Sequence, residues 1–390
     1  MLNFHHCFEK TPQLQDDTYL NNLTLRAEQE KLLKEARTVI RETLRKAIRE
    51  ATSAFSEGEK QISPSFFTQG SWAYHTINRP AHTPPQQTDM DDGCYLPMTF
   101  VRGTTPKRAA NWFYDVADKA LQELVKARNW KAYDASRQTC CRVIINEENH
   151  VDVPLYAIRD DQFEALLKAY RAETAALKMS DARLREAAED DHPLDWTQVT
   201  DKDVLLAQRN GFWKDSNPRD VSNWAKSAVG GSGEQLRWAW RIMKGWRDHT
   251  FVRGGPSSIA LMVIIQHKFE EVKNRDDLAV RAAAIKVSEA IMHKVSAPWN
   301  KNEDLCEKLK PDERAAISRM AQHLADEIDQ CTQGNVNNAE TLLKRLGNLF
   351  GKHFCETASR VKAVTPQQVV RAYVASPVVA PSLRGDNRSA

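Results

Sequence analysis

Between Asn22 and Phe55 apolar residues return every three or four positions: Leu23, Leu25, Leu32, Leu33, Val39, Ile40, Leu44 and Ile48, interleaved with charge. That period predicts a helix longer than the globular average, able to run along the body of the fold as a spine. Arg37, Arg41, Arg45 and Arg49 lie four apart on it and form a basic stripe. With Glu35, Glu42 and Glu50 beside it the stripe reads as a solvated face; the alternative is an anion site with a regulatory role. Residues 1–20 show no period and read as irregular.

Further along, shorter patterns appear. Ile62–Phe67 reads as a strand entering a Gly70-Ser71 turn, and Tyr95–Val101 as another strand. Lys107–Ala127 reads as an amphipathic helix with Trp112, Phe113, Val116, Leu121 and Leu124 inward. Gln138–Ile145 and His150–Ile158 flank a polar turn and predict a hairpin. Gln162–Asp191 is charged and Ala-rich, hence helical, while the stretch around Trp196–Asn217 reads as irregular. Beyond Pro218 the pattern is helical: Pro218–Ala228, Gln235–Thr250, Pro256–Phe269, Asp276–Val295, Pro311–Cys331 and Asn337–Phe350. Pro218, Pro256 and Pro311 each suit a first helical turn. From Ser376 the chain is rich in Pro, Ser and charge and predicts a disordered tail. The class is α+β, with a mixed sheet first and helices after it.

Composition narrows the function little. The 55 basic and 52 acidic residues leave a formal net charge of +3, too small by itself to argue for nucleic-acid binding. The 7 cysteines form no Cys-x-x-Cys pair and are odd in number, against a disulfide framework or a zinc site and in favour of a reducing cytoplasm. The start MLNFHHCFEK shows no secretory pattern. The longest apolar run, Ile259–Ile265, is far short of the about 20 residues a bilayer span needs.

The chemistry concentrates elsewhere. Asp89 and Asp91 stand one residue apart, so on a strand both point to one face and Asp92 to the other. Asp152 sits between Val151 and Val153, where a carboxylate is costly unless it is paired or metal-bound. Three carboxylates on neighbouring strands are able to hold two divalent ions about 4 Å apart, a pair that assists in-line displacement. Gly70 lets backbone N–H groups approach a phosphate, and Ser71 adds a donor. On spacing alone, three unrelated loop carboxylates remain an equal reading.

A Gly-Ser, then Asp-x-Asp, then a later strand aspartate resembles the polymerase-β-like nucleotidyltransferase order. The strings QGSWAYHTINRP, DMDDGCYLPM, RQTCCRV, HVDVPLYAI, IMKGWRD and GGPSSIALM occur in sequence. Together they resemble the bacterial cGAS/DncV-like nucleotidyltransferases, specifically the DncV-type cyclic GMP–AMP synthases, over Phe66–Met262. The resemblance implies a nucleotidyltransferase core packed on a C-terminal helical domain. It divides the chain into a helical spine (1–60), the core (61–215), a helical domain completing the cleft (216–375) and a tail (376–390). It implies Asp89, Asp91 and Asp152 as ligands of Mg2+, for which Mn2+ can substitute. It places Gln69, Gly70 and Ser71 on the donor triphosphate, with Tyr74 stacked near a base. Arg142, Ser216, Lys244 and Ser258 become nucleotide contacts, and Asp304 a contact to the acceptor base. Taken alone, Arg142 is a surface strand arginine and Ser258 a capping serine.

The activity implied is synthesis of a cyclic dinucleotide, 3′,3′-cyclic GMP–AMP from ATP and GTP, in a cytoplasmic antiphage signalling setting. A downstream cyclic-nucleotide effector and a ubiquitin-transfer-like conjugation partner for the C-terminus are implied with it. Met90 keeps its strand apolar where related chains often have Ile, while Asn217 replaces an acidic residue of a close relative and opens the choice of base. The hairpin turn before Asp152 is one residue shorter. Two rivals stand beside this reading: a template-free RNA nucleotidyltransferase, and a non-enzymatic protein that senses an anion.

Overall fold

The structure is a computed structural model that describes residues 1–53, 62–102, 104–161, 163 and 204–364. The chain opens with β1 (Leu2–Asn3), α1 (His5–Phe8) and α2 (Tyr19–Asn22), followed by the long α3 (Ala27–Ser53). Then come β2 (Ser65–Gln69), the short α4 (Gly70–Ala73), β3 (Thr88–Pro97), α5 (Met98–Arg102) and α6 (Pro106–Ala127). Strands β4 (Ala132–Asp134), β5 (Cys141–Ile144), β6 (Asn149–Val153), β7 (Leu155–Ile158), β8 (Val204–Ala207) and β9 (Trp213–Asp215) complete the sheet. The remainder holds α7 (Pro218–Ser232), α8 (Glu234–Thr250), α9 (Ser258–Gln266), α10 (Asp276–Ala290), β10 (Ser296–Ala297), β11 (Asn300–Asp304), α11 (Pro311–Thr332), α12 (Ala339–Phe350) and β12 (Lys362–Ala363).

Strand β3 is the axis of the sheet. Its first half pairs in parallel with β6 and its second half with β7, while β2 pairs with it antiparallel. Alternation then sorts its side chains. Met90, Cys94 and Leu96 join a core with Leu33, Ile40, Leu44 and Ile48 of α3 and Phe113 and Leu121 of α6. Asp89 and Asp91 face the other way. The expected hairpin forms as β5 against β6, with Arg142 opposite Asp152. Its second strand breaks at Pro154, which cannot donate to a ladder.

Several expectations shift. The strand expected at Tyr95–Val101 is Thr88–Pro97, and the chain turns helical at Met98. The stretch read as irregular before Asn217 supplies β8 and β9. Pro256 precedes its helix rather than opening it; Ser257 is the cap, accepting from the Ala260 N–H, and Ser258 is the first helical residue. Pro218 and Pro311 do open their helices. Three of the four stripe arginines leave the expected solvated face, while Arg49 stays exposed. Arg37 is buried and donates to Thr68, Arg41 chelates Asp92, and Arg45 lies 4.9 Å from the Phe66 ring centroid. Buried partners on β2 and β3 draw the stripe inward.

The described residues of the N-terminal segment, 1–53, divide between two cores. Phe4, Phe8, Tyr19, Leu20 and Leu23 pack into the C-terminal helical core with Trp240, Trp246, Phe350 and Phe354, and β1 pairs with β12. Leu25 and the buried face of α3 pack into the sheet's core instead. The helix expected over Gln162–Asp191 and the tail beyond Ser376 lie outside the described residues.

Candidate active site

The sheet register builds the site. Asp89 stands beside His150 and Asp91 beside Asp152 across the parallel β3–β6 pair, so four polar side chains share one face. On the opposite face Asp92 is fully buried; Arg41 Nε donates to it at 2.7 Å and Thr68 Oγ1 at 3.0 Å. The spacing argument against Asp92 as a ligand therefore agrees with the geometry.

Asp89 and Asp91 of the free face sit at a cavity of ≈ 1230 Å³. Gly70, Ser71, Tyr74, Asp89 and Asp91 line it from the sheet part, and Ser216, Lys244 and Ser258 from the helical part. Gly70 has φ +67°, and a Cβ there would come within 2.0 Å of Asp91 Oδ2. No L side chain fits, so the glycine lets the turn close onto the carboxylate. Asp91 has its carboxyl pushed well up, first by burial and then by the charges of Asp89 and Asp152; Arg142 and Lys244 oppose the rise. Lys244 is held with its Nζ 2.7 Å from the Thr76 carbonyl, and its pKa is pushed down to about 7 by burial and then by Arg247. Lys244 and Asp91 thus border one cavity, each pushed toward its neutral form until a ligand of opposite charge arrives.

Four expected residues do not line the cavity. Asp152 is buried beneath the cavity surface and takes a bidentate pair from Arg142, Nε to Oδ1 at 2.7 Å and Nη2 to Oδ2 at 2.6 Å. Arg142 is thus committed to Asp152. Gln69 is buried, donating to the Tyr156 hydroxyl at 3.2 Å and accepting from Tyr95 at 3.5 Å. Asp304 accepts from the Val295 and Cys306 N–H groups and from Arg314, which uses both its oxygens. Its hairpin reaches the cavity through Asn300 and Glu303 instead.

The sequence did not single out His150. Asp89, His150 and Asp152 bring ligand atoms within 4.8 Å of one another, close enough to hold a metal ion. Asp89 Oδ1 and both His150 ring nitrogens are buried without a hydrogen bond. The donor set and these orphaned atoms fit a divalent cation, which would satisfy Asp89 Oδ1 and one His150 nitrogen and relieve the like-charge crowding. Trp224 and Trp299, with ring centroids 5.6 Å apart, also line the cavity and were not foreseen. Aromatic walls of this kind suit a nucleobase.

Two family models match the chain: the DncV-like cyclic GMP–AMP synthase nucleotidyltransferase domain over residues 64–156, and the cyclic GMP–AMP synthase C-terminal domain over 233–363. A cyclic GMP–AMP synthase of Escherichia coli is 30% identical over 344 residues, covering 84% of this chain and 76% of its own. One of Vibrio cholerae is 36% identical over 206 residues, 52% of this chain and 46% of its own. The Vibrio cholerae DncV structure with the linear intermediate 5′ pppA(3′,5′)pG matches at TM-score 0.72 and 24% identity, covering 93% of this chain and 99% of that one. The apo form matches at TM-score 0.71 and 22% identity, with the same coverage. At such identities the structural likeness is one of fold.

Proposed function

This chain belongs to the DncV-like cyclic GMP–AMP synthase family, and we propose that its cleft joins ATP and GTP into 3′,3′-cyclic GMP–AMP. It is a nucleotidyltransferase of the cyclic-dinucleotide class. The observation that carries the reading is the register of β3 on β6, which gathers Asp89, Asp91 and Asp152 on one face beside a cavity shared with Lys244 and Ser258.

The reaction is two in-line displacements. A 3′-hydroxyl attacks the α-phosphate of the donor and pyrophosphate leaves. The linear product re-enters, turned over; its free 3′-hydroxyl attacks its own remaining α-phosphate, a second pyrophosphate leaves and the ring closes. Asp89, Asp91 and Asp152 would hold Mg2+, which when bound neutralises phosphate charge and eases loss of the hydroxyl proton. The chain's own residues bind and orient. Gly70 and Ser71 place the turn against the donor phosphates, and Lys244 offers a point charge to the triphosphate. Ser216 and Ser258 add polar contacts, and Tyr74 a ring for a base. Arg142 acts by holding the Asp152 carboxylate, and Gln69 by fixing the turn from behind. No helix of the described residues is long and apolar enough to cross a membrane.

The setting we infer is a cytoplasmic antiphage signal read by a cyclic-nucleotide effector. Conjugation of the C-terminus by a ubiquitin-transfer-like partner would concern residues outside those described. The test incubates purified protein with labelled ATP, GTP and Mg2+. A phosphatase-resistant cyclic product is expected, and its absence with every nucleotide pair refutes the reading. Mass spectrometry of protein isolated with its genomic neighbours tests conjugation, an unmodified C-terminus counting against it.

A further inference from the structure

We propose that His150 is a nitrogen ligand of the metal site, so that the site favours a manganese-class ion over magnesium more than an all-carboxylate site would. The inference rests on the reading of the cleft as a metal-dependent transferase.

The register fixes the neighbours. Asp89 and His150 are directly paired across parallel strands, and Asp91 and Asp152 form the next pair on the same face. His150 is 5% exposed. Its Nε2 lies 3.0 Å from Asp89 Oδ1 and 3.9 Å from Asp152 Oδ1. Two ligand atoms about 2.1 Å from one ion, at right angles, stand about 3.0 Å apart. The closer spacing is that of adjacent ligands on a small cation.

A plain His–Asp hydrogen bond does not account for the contact. Despite the 3.0 Å separation, neither Asp89 Oδ1 nor His150 Nε2 makes a hydrogen bond, and Nδ1 has none either. Buried polar atoms of a folded protein are nearly always satisfied, so three orphans in one place point to a missing partner. A cation between Nε2 and the two carboxylates would satisfy two of them. Asp152 is held in place for this by Arg142, which donates to both its oxygens, and each oxygen keeps a lone pair for a cation. Affinity of a mixed nitrogen and oxygen site for first-row transition ions begins with manganese and rises along the row, whereas magnesium prefers oxygen ligands alone.

The test uses the full chain with Mn2+ alone and pulsed electron paramagnetic resonance. Bound Mn2+ is expected to show a nitrogen hyperfine coupling that changes isotope in protein grown with 15N-histidine. The coupling should vanish in His150→Gln, with Mn2+ affinity falling about tenfold or more and Mg2+ affinity falling less. The wild-type spectrum needs no variant, so misfolding of His150→Gln leaves the test intact. Bound Mn2+ without histidine nitrogen coupling overturns the proposal. So does an unchanged Mn2+-to-Mg2+ affinity ratio in a folded His150→Gln protein. If the coupling appears but no cyclic product forms, the ligand assignment stands and the functional reading falls. If product forms without the coupling, the functional reading stands and the ligand assignment falls.

Discussion

Asp91 and Asp92 are adjacent in the chain and opposite in state. Asp92 points into the helix layer, where Arg41 and Thr68 satisfy it, and no part of it meets solvent. Asp91 points to the cavity, where the charges that act on it most are the carboxylates of Asp89 and Asp152. One face of β3 uses a carboxylate to hold α3 on the sheet. The other face concentrates carboxylates that repel one another. The first arrangement serves stability; the second costs stability and is what a cation-dependent site requires. One strand supplies both because its side chains alternate.

The sharpest way to break the comparison is to neutralise each residue. Asp91→Asn should reduce cyclic product below detection while raising stability toward urea, because it removes a charge that burial and its neighbours disfavour. Asp92→Asn should do the opposite and cost about 3–5 kcal/mol by breaking a buried pair, with catalysis retained in the folded fraction. Parallel urea melts and product assays decide. Equal destabilisation by the two substitutions would erase the distinction between the faces. Next in size is Gly70→Ala. A methyl group pressed onto Asp91 Oδ2 displaces the carboxylate, and a displacement near 1 Å lowers turnover about 10²-fold. The left-handed backbone there adds about 1–2 kcal/mol of strain. Turnover near the wild-type value would show that Asp91 tolerates movement.

These contrasts also mark what the chain's pattern reveals and what it hides. Alternation along a strand is local, so Asp89, Asp91 and the opposite-facing Asp92 were legible from spacing. Asp152 was legible because valines flank it. His150 was not, because its place beside Asp89 depends on how β6 registers against β3, and the two strands lie far apart in the chain. The arginine stripe was legible as a stripe but not as an inward one. Its partners Thr68 and Asp92 belong to strands outside the helix, so no local pattern betrays the burial. The N-terminal aromatics Phe4, Phe8 and Tyr19 follow no helical period, since they fill gaps between helices that lie hundreds of residues further along the chain. The four apolar residues of β8 were too short a run to separate from loop.

Lys244 carries the comparison across the cleft, as the cation facing the carboxylate face. Its folded-state pKa of about 7 lies below the ordinary 10.5. Below pH 7 the ammonium is charged in both folded and unfolded chains, and the burial penalty is fully felt. Between 7 and 10.5 the unfolded chain keeps a proton that the folded protein has released, so stability rises with pH across that window. A bound triphosphate reverses the balance by favouring the ammonium. Nucleotide binding at pH 8 should therefore take up close to one proton, seen by calorimetry in buffers of different ionisation enthalpy. Lys244→Met should abolish that uptake, flatten the stability gain above pH 7, and weaken binding about 10- to 10²-fold, the loss of one charged hydrogen bond. Uptake that survives in Lys244→Met would assign the proton to another group.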